Sequence, residues 1–210
     1  RLWLKWPDVM ISEQLAIAFI AFAAATLFTP GPNNIMLMAS GLNYGFRRTL
    51  PHVAGVTIGF SFLVAVIGLG LGAVFAAYPV LHTILKYAGA AYLIYLAIVI
   101  AMSGPADTDG AGEGKPMTFL GAAMFQWVNV KGWVIAVGAI TAYAAIAAYP
   151  LNIAALSILL FVIGLGSSLT WVLLGTSLQA VVKSPRAVRI FNVVMAVLLL
   201  ASLYPVLKEP

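Results

Sequence analysis

The sequence predicts an all-α membrane protein with six transmembrane helices. Three observations lead to this fold class: the chain is very apolar, it carries few charges, and its apolar residues fall into long runs. Hydrophobic residues make up 63% of the 210 residues and charged residues only 8%, whereas a soluble domain is about half apolar and about a quarter charged. So few charges cannot cover the surface of a soluble domain, which excludes a soluble enzyme and a DNA-binding domain.

Six apolar runs are candidates for membrane spans, because a hydrocarbon core of about 30 Å needs roughly 20 residues of helix. These runs are residues 11–28, 53–77, 80–102, 119 to about 148, 151–174 and 187–207. The runs are apolar on all sides instead of at every second residue, so helices are expected and barrel strands are not. The fourth run is too long for one straight span and contains Lys131, so we expect it to be tilted or broken.

The chain divides into two halves around one polar stretch. Residues 103–117 contain three acidic residues, four glycines and two prolines, a composition that predicts a flexible loop. Residues 11–102 then form the first three-helix half and residues 118–210 the second. The two halves insert in opposite orientations, which allows an inverted repeat, although they share little visible sequence. We interpret residues 1–10 as upstream or added sequence, since the chain starts with arginine and Met10 would make a natural start.

The distribution of basic residues predicts the orientation. Six spans place both termini on one side of the membrane. The opposite side carries Arg47, Arg48, Lys115, Lys183, Arg186 and Arg189. The side of the termini carries Lys86 and Lys208, with Arg1 and Lys5 in addition if these belong to the natural protein. Cytoplasmic loops carry an excess of Lys and Arg, so this bias predicts that both termini lie outside.

The segment Thr29–Asn34 reads Thr-Pro-Gly-Pro-Asn-Asn and predicts that the first helix is interrupted. Each proline lacks an N–H group and disfavours the helical conformation of the residue before it, while Pro32 suits the first position of a new helix. A helix N-terminus inside the membrane offers free N–H groups and partial positive charge to a carboxylate, as in transporters with discontinuous helices. A helix that simply ends at the membrane surface explains the residues equally well, because the 18 residues of the first run nearly cross the core.

Two motifs point to a family. The sequence Thr-Pro-Gly-Pro-Asn-Asn is followed by an apolar turn and then by the pattern G-x-x-x-G-x-R over residues 41–47. Gln126-Trp-Val-Asn-Val-Lys131 lies in the fourth run. Together with residues 55–59, 86–93 and 95–96, these motifs resemble the LysE/RhtB family of amino-acid exporters, over Ser12 to about Leu207. The second motif of that family has Asn-Pro-Lys, and this chain has Val130 at the place of the proline.

The resemblance implies a secondary transporter in the bacterial cytoplasmic (inner) membrane that exports amino acids or similar small metabolites. It further implies a proton-motive driving force, and we expect alternating access around the first break. The candidate substrate-binding residues are Thr29, Pro30, Gly31, Pro32, Asn33, Asn34, Gln126, Asn129 and Lys131. A small-solute channel and a non-transporting membrane assembly subunit remain alternatives. Energy-dependent, saturable efflux would exclude the channel, and unchanged amino-acid tolerance after deletion would indicate the assembly subunit.

Lys131 is a charged residue inside an apolar run and therefore indicates a candidate functional site. A lysine at the bilayer centre costs about 2.5–3.5 kcal/mol on insertion scales, so it needs a reason to be there. One interpretation, which rests mainly on the resemblance, is a cation that faces the substrate carboxylate with Gln126 and Asn129 nearby. The other is a lysine that snorkels along its helix, with Asn129 merely joining two helices.

The one Asp or Glu within the bounds of a predicted span is Glu13, at the N-terminal edge of the first. This argues against a divalent-metal transporter and against a membrane hydrolase with an acid/base pair, and no cysteine is present to bind metal or act as a nucleophile. We therefore expect no enzymatic activity, no metal and no other cofactor. The expected partners are an amino-acid substrate and the lipid bilayer, with a homo-oligomer allowed and no nucleic acid. The candidates for ion coupling are Glu13, at the edge of the first span, and His52.

Overall fold

The chain folds entirely into helices in the computed structural model, which describes residues 12–103, 115–182 and 184–208. No strand occurs in these residues, so the predicted all-α class is confirmed for them. Lys183, the interpreted upstream segment 1–10 and residues 104–114 of the predicted loop lie outside this description.

Nine α-helices are found in the described part of the chain. They are α1 (Glu13–Phe28), α2 (Pro32–Val66), α3 (Gly72–Ala77), α4 (Val80–Met102), α5 (Phe119–Phe125), α6 (Val130–Tyr143), α7 (Leu151–Val181), α8 (Pro185–Ala201) and α9 (Leu203–Lys208). A π-helical segment, Ile67–Leu71, joins α2 to α3, and a 3-10 turn, Ala144–Ile146, follows α6. Hydroxyl groups that accept backbone N–H bonds cap three helix starts, at Ser12 for α1, Thr118 for α5 and Ser184 for α8.

Three helical stretches are long and apolar enough to cross a membrane. They are Pro32–Ala77, Val80–Met102 and Leu151–Gln179. A fourth span forms if Phe119–Phe125 and Val130–Ile146, which are bent by 64° relative to each other, are taken as one. By length and composition the described residues therefore hold three or four spans, and the number six stays a prediction.

The first predicted break is present. Helix α1 ends at Phe28, Thr29 and Gly31 are extended, and α2 starts with Pro32 at its first position. The fourth run is also broken, as expected, even though Val130 stands where the family has proline. The first and the fourth predicted runs are thus both interrupted helices.

The helix of the second predicted run starts before residue 53, its predicted start, because two helical segments of α2 meet at a kink at Gly45. Helix α2 continues from the first break through Pro51 and His52 to Val66. Its only non-helical residue is Gly45, with φ 76° and ψ 171°, a conformation that favours glycine. His52, which directly precedes the second predicted run, therefore lies in the interior of a helix. The kink at Gly45 divides α2 into two segments that both contribute to the site described below.

Helix α2 is at the centre of the bundle because glycines let its backbone approach α5 and α7. A Cβ atom on Gly41 would collide with the carbonyl oxygen of Val172, and one on Gly175 would collide with that of Met38. A Cβ on Gly59 would lie 2.6 Å from the Cα of Ala123 in α5. Small residues at these positions thus allow close packing of the helices.

Buried apolar side chains fill the space between the helices. The largest cluster joins α1, α2, α6 and α7 and includes Phe19, Leu63, Trp133, Leu156 and Leu160. A second cluster joins the start of α2 to α4 and α8. Many large apolar side chains remain exposed on the outer faces, as is usual where lipid replaces water around a bundle.

Candidate functional site

The two helix breaks lie against each other. Asn33, just after the first break, donates a hydrogen bond from Nδ2 to Gln126 Oε1 at 2.8 Å. Gln126, at the start of the second break, donates back from Nε2 to Asn33 Oδ1 at 3.1 Å and also to Ala122 O at 2.8 Å. The side chain of Gln126 is fully buried. This pair of amides fixes the two breaks at the same level of the bundle.

Side chains from both breaks bind the carbonyl groups that the end of α1 leaves free. Asn34 Nδ2 donates to Leu27 O at 2.7 Å and to Thr29 O at 2.9 Å. Lys131 Nζ donates to Thr29 O at 2.9 Å and to Pro30 O at 3.5 Å. A cation at a helix C-terminus is favoured by the helix dipole, so the ammonium group of Lys131 stabilises the interrupted end of α1.

Gly31 makes room for the lysine. A Cβ atom at this position would lie 2.9 Å from both Cδ and Nζ of Lys131. Gly31 itself is buried and Lys131 is half-buried. The lysine side chain therefore crosses from the second break onto the backbone of the first, and it does not extend along its own helix toward an interface.

Two helix N-termini meet at the same place without side-chain caps. Gly31 precedes α2 and Asn129 precedes α6, and neither start is capped by a side-chain hydrogen bond. The first N–H groups of each helix have no partner inside the helix, and each N-terminus carries partial positive charge. With the ammonium group of Lys131 added, the site is electropositive and suits an anionic group.

Asn129 holds a polar atom that is not satisfied. Its side chain is 3% exposed, and its Oδ1 atom is buried without a hydrogen-bond partner. An unpaired buried acceptor costs about 1–3 kcal/mol. A ligand N–H group that reached this atom would remove that cost.

Two cavities flank the breaks. An inner cavity of about 50 Å³ lies between α1, α2, α6 and α7. Its polar lining consists of Thr26, Asn33, Asn34, Thr57, Asn129, Lys131, Ser167 and Ser168, and its apolar lining includes Leu27, Val56, Phe60, Ile135 and Leu160. A lateral cavity of about 420 Å³ lies on the side of α4 and is lined in addition by Thr29, Pro30, Gly89 and Ser202. The residues common to both cavities are Thr26, Gly31, Pro32, Asn129, Lys131 and Ile135. The breaks and Lys131 thus form the wall between the two cavities.

The structure brings all nine predicted substrate-binding residues together. Asn33 and Asn34 line the inner cavity, Thr29 and Pro30 line the lateral cavity, and the four residues Gly31, Pro32, Asn129 and Lys131 line both. Gln126 lies behind Asn33 and holds it. Whether these residues bind substrate stays a prediction.

The two coupling candidates are placed very differently. Glu13 is exposed in the first turn of α1, at the end of that helix farthest from the break. His52 is buried inside α2 and lines a separate cavity. The structure therefore brings neither side chain into the inner cavity, and only His52 lies inside the bundle.

The sequence reasoning missed a second buried amide pair. Asn43 Nδ2 donates to Asn192 Oδ1 at 2.7 Å, and Asn192 Nδ2 donates to Asn43 Oδ1 at 2.8 Å and to Ser103 O at 2.7 Å. The pair joins α2, α8 and the end of α4. The sequence did hold one signal for this pair, because Asn192 is an asparagine among apolar neighbours in the sixth run.

Comparison with known proteins identifies the family. The family model described as LysE type translocator matches residues 24–202. The chain belongs to the LysE-type translocator family. The predicted resemblance is thereby confirmed, and this LysE-family chain is a multi-pass membrane protein.

Curated relatives of this translocator match over nearly their whole length. It is 34% identical over 192 residues to a cysteine/O-acetylserine efflux protein of Escherichia coli O139:H28, covering 90% of this chain and 96% of the relative. The protein of the same name from Escherichia coli K12 is 34% identical over 191 residues, 90% of this chain and 95% of its own. The protein of this name from Shigella flexneri is 34% identical over 187 residues, which cover 88% of this chain and 93% of the relative. No solved structure matches this translocator significantly.

Proposed function

We propose that this LysE-family chain is a secondary transporter that exports small amino acids across the bacterial cytoplasmic membrane. The observation that carries the proposal is the convergence of Lys131, two uncapped helix N-termini and the unpaired Oδ1 of Asn129 at one cavity. The relatives named for the efflux of cysteine and O-acetylserine support the substrate class.

The polar groups of the site match the two charges that every amino acid carries. In the proposed complex, Lys131 Nζ and the first N–H groups of α2 and α6 bind the substrate carboxylate. Asn129 Oδ1 accepts a hydrogen bond from the substrate ammonium group. Lys131 exchanges a bond to Pro30 O, the longer of its two at 3.5 Å, for the carboxylate, so binding need not break the contact to Thr29.

The lining of the inner cavity matches a short polar side chain, which the cavity, at about 50 Å³, would admit only after widening. Ser168 is buried and lines the cavity, as does Thr57, whose hydroxyl group is already bonded to Val53 O of its own helix at 2.9 Å. Phe60 and Leu160 bound the cavity on the apolar side. A small substrate with a hydroxyl, thiol or ester group matches this mixture of groups, whereas a basic side chain would find no acidic partner in the lining.

Alternating access provides the proposed transport cycle. The wall of breaks and Lys131 separates the inner cavity from the lateral one. The lateral cavity shares Val130 and Val134 with a peripheral cavity of about 700 Å³ near the start of α4. Movement of the wall would pass the substrate between the cavities without a continuous pore, which favours a carrier over a channel.

We also propose how the chain is arranged in the membrane. We infer six spans in two halves of opposite orientation, with each half starting at a broken helix, both termini outside and export driven by the proton-motive force. Broken helices that meet at a central site are typical of transporters with inverted repeats.

Transport by purified protein in liposomes tests the proposal. Counterflow of a radiolabelled amino acid is expected for the wild type, with small polar amino acids competing most strongly. Lys131→Met and Asn129→Leu should reduce counterflow at least tenfold, while Lys208→Met is the matched control because Lys208 is exposed at the end of α9. If wild-type protein carries no amino acid, or if Lys131→Met carries it as well as Lys208→Met does, the proposal is wrong.

A further inference from the structure

One face of α7 forms part of the lining of the inner cavity. Four residues of this helix, Leu160, Gly164, Ser167 and Ser168, line the cavity, and their spacing places them on the same side of the helix. The lining changes along α7 from the apolar side chain of Leu160 to the two serines. Both serines are buried, so any group that meets their hydroxyl oxygens from the cavity does so away from bulk water.

Ser167 fixes this face of α7 beside the first break. Its Oγ atom donates a hydrogen bond to Leu27 O at 2.8 Å, and the same carbonyl oxygen accepts a bond of 2.7 Å from Asn34 Nδ2. Leu27 lies in the last turn of α1 and Asn34 in the first turn of α2. Ser168 follows Ser167 directly, so its position relative to the break is fixed as well. It lines the inner cavity from α7, while Lys131 lines it from α6.

The hydroxyl group of Ser168 differs from the other hydroxyl groups of the lining. Thr26, Thr57 and Ser167 each donate to a backbone carbonyl oxygen, at 2.8, 2.9 and 2.8 Å. Ser168, which is 3% exposed, has no hydrogen-bond partner for its hydroxyl group among the residues that the structure describes. A serine inside a helix can bond back to the carbonyl group four residues earlier, here that of Gly164, and Ser168 does not. Its hydroxyl group is therefore available to a ligand in the cavity.

Gly164 leaves space in the lining, one helical turn from Ser168. A Cβ atom on Gly164 would have one neighbour within 4 Å, Leu27 Cδ1 at 3.8 Å, which is an ordinary van der Waals contact. Gly175 in the same helix differs, because a Cβ atom there would collide with the carbonyl oxygen of Met38. Glycine inside a helix is less favourable than alanine, and helix packing does not require it at residue 164. The space that Gly164 leaves in the cavity therefore indicates its role.

We propose that Gly164 and Ser168 receive the side chain of the transported amino acid, with the Ser168 hydroxyl group as the contact that determines specificity. The inference rests on the proposed transport function and adds how the site selects among small amino acids. Lys131 binds the carboxylate from α6, and Ser168 binds a hydroxyl, thiol or ester group from α7. A serine hydroxyl group both donates and accepts hydrogen bonds, so it pairs with each of these groups. The cavity widens to admit the whole substrate, and Gly164 leaves part of the space for its side chain.

Selection follows from the hydrogen bond that an apolar side chain leaves unmade. A substrate that displaces water from Ser168 has to replace the hydrogen bond of that water. A polar side chain replaces it, whereas an apolar side chain of the same shape leaves the buried hydroxyl group unpaired. Sites that bind a substrate hydroxyl group reject analogues without it for this reason. L-serine and L-2-aminobutyrate form a suitable test pair, because the two differ only by a hydroxyl group in place of a methyl group.

Competition in the counterflow assay tests the proposal. The concentrations of L-serine and of L-2-aminobutyrate that halve counterflow of a radiolabelled amino acid give a preference ratio for each protein. The wild type is expected to prefer L-serine by about fivefold or more, and Ser168→Ala is expected to lose this preference. Ser167→Ala is the matched control and should keep it, because the neighbouring hydroxyl group that it removes is already bonded to Leu27 O. A wild type without the preference, or equal ratios for the two variants, would overturn the proposal.

A second variant covers a Ser168→Ala protein that does not fold. Gly164→Ala keeps Ser168 and adds a methyl group to the cavity lining without a collision. It should weaken competition by L-2-aminobutyrate relative to L-alanine by about tenfold, since the longer side chain meets the new methyl group. Gly166→Ala is its control, because Gly166 does not line the cavity and nothing lies within 4 Å of its Cβ position. Equal ratios for these two variants would also refute the proposal, whereas the transport function itself would fail through an absence of counterflow in the wild type.

Discussion

Replacing Gln126 with leucine removes the amide that holds the two helix breaks together. Leucine has nearly the same volume, so the loss is confined to hydrogen bonds. Gln126 makes three of them, two with Asn33 and one with Ala122 O. Asn33→Ala removes the two that are shared. The pair therefore suits a double-mutant cycle, in which the coupling between the two residues is measured directly.

The expected magnitudes follow from the number of bonds lost. Hydrogen bonds between side chains of membrane helices contribute about 0.6 kcal/mol each on average. Asn33→Ala should then lower the free energy of unfolding by about 1.2 kcal/mol, and Gln126→Leu by about 1.8 kcal/mol. The double variant loses no further bond, so it should also cost about 1.8 kcal/mol, which gives a coupling of about 1.2 kcal/mol.

The free energy of unfolding in bicelles, measured by steric trapping for the four proteins, checks this reasoning. Far-UV circular dichroism confirms that each variant is helical before the comparison. Additive effects of the two substitutions, within about 0.3 kcal/mol, would show that the residues do not interact. The breaks would then be positioned by apolar packing alone, and the geometry described for the site would be wrong.

Three further predictions test other contacts. Gly175→Ala should lower the yield of folded protein, because the new methyl group would collide with the backbone of α2. Gly166→Ala on the same helix should have little effect, since nothing lies within 4 Å of its Cβ position. Size-exclusion profiles in detergent compare the two variants. Asn192→Leu removes three hydrogen bonds and should lower the free energy of unfolding by about 2 kcal/mol in the same steric-trapping assay. Gly31→Ala should fold but displace the flexible end of Lys131, so counterflow should fall at least fivefold, while the free energy of unfolding falls by only about 1.2 kcal/mol for the two bonds of Lys131.

Much of the site was predictable because its residues are unusual for a membrane helix. Two prolines around Gly31 and a lysine at residue 131 violate the preference for uninterrupted apolar helix, so each demands an explanation from the sequence alone. The sequence did not show that the first break and Lys131 meet in space. Their meeting depends on the amide bond between Asn33 and Gln126, which are 93 positions apart in the chain.

The bend at the second break, in contrast, has no local signal in the sequence. The sequence has Val130 where a proline would explain a bend, yet the chain is bent by 64° there. Close approach by α4 accompanies the bend, since a Cβ atom on Gly89 would collide with the carbonyl oxygen of Val128. Tertiary contacts of this kind override local propensity and leave no local signal. Pro51 is the reverse case, a local signal without effect, since the helix continues through it and the kink lies at Gly45 instead.

The two amide pairs, Asn33 with Gln126 and Asn43 with Asn192, have a consequence for how easily the bundle rearranges. Both join groups that are neutral, so separating either pair exposes no charge to lipid. At about 0.6 kcal/mol per bond, breaking the two bonds within one pair costs about 1.2 kcal/mol, close to twice the thermal energy. Each pair would therefore be open in roughly one molecule in ten at any moment if nothing else held it. Helix α2 is thus joined at two levels by contacts that give a defined register and yet separate and form again at ordinary temperature.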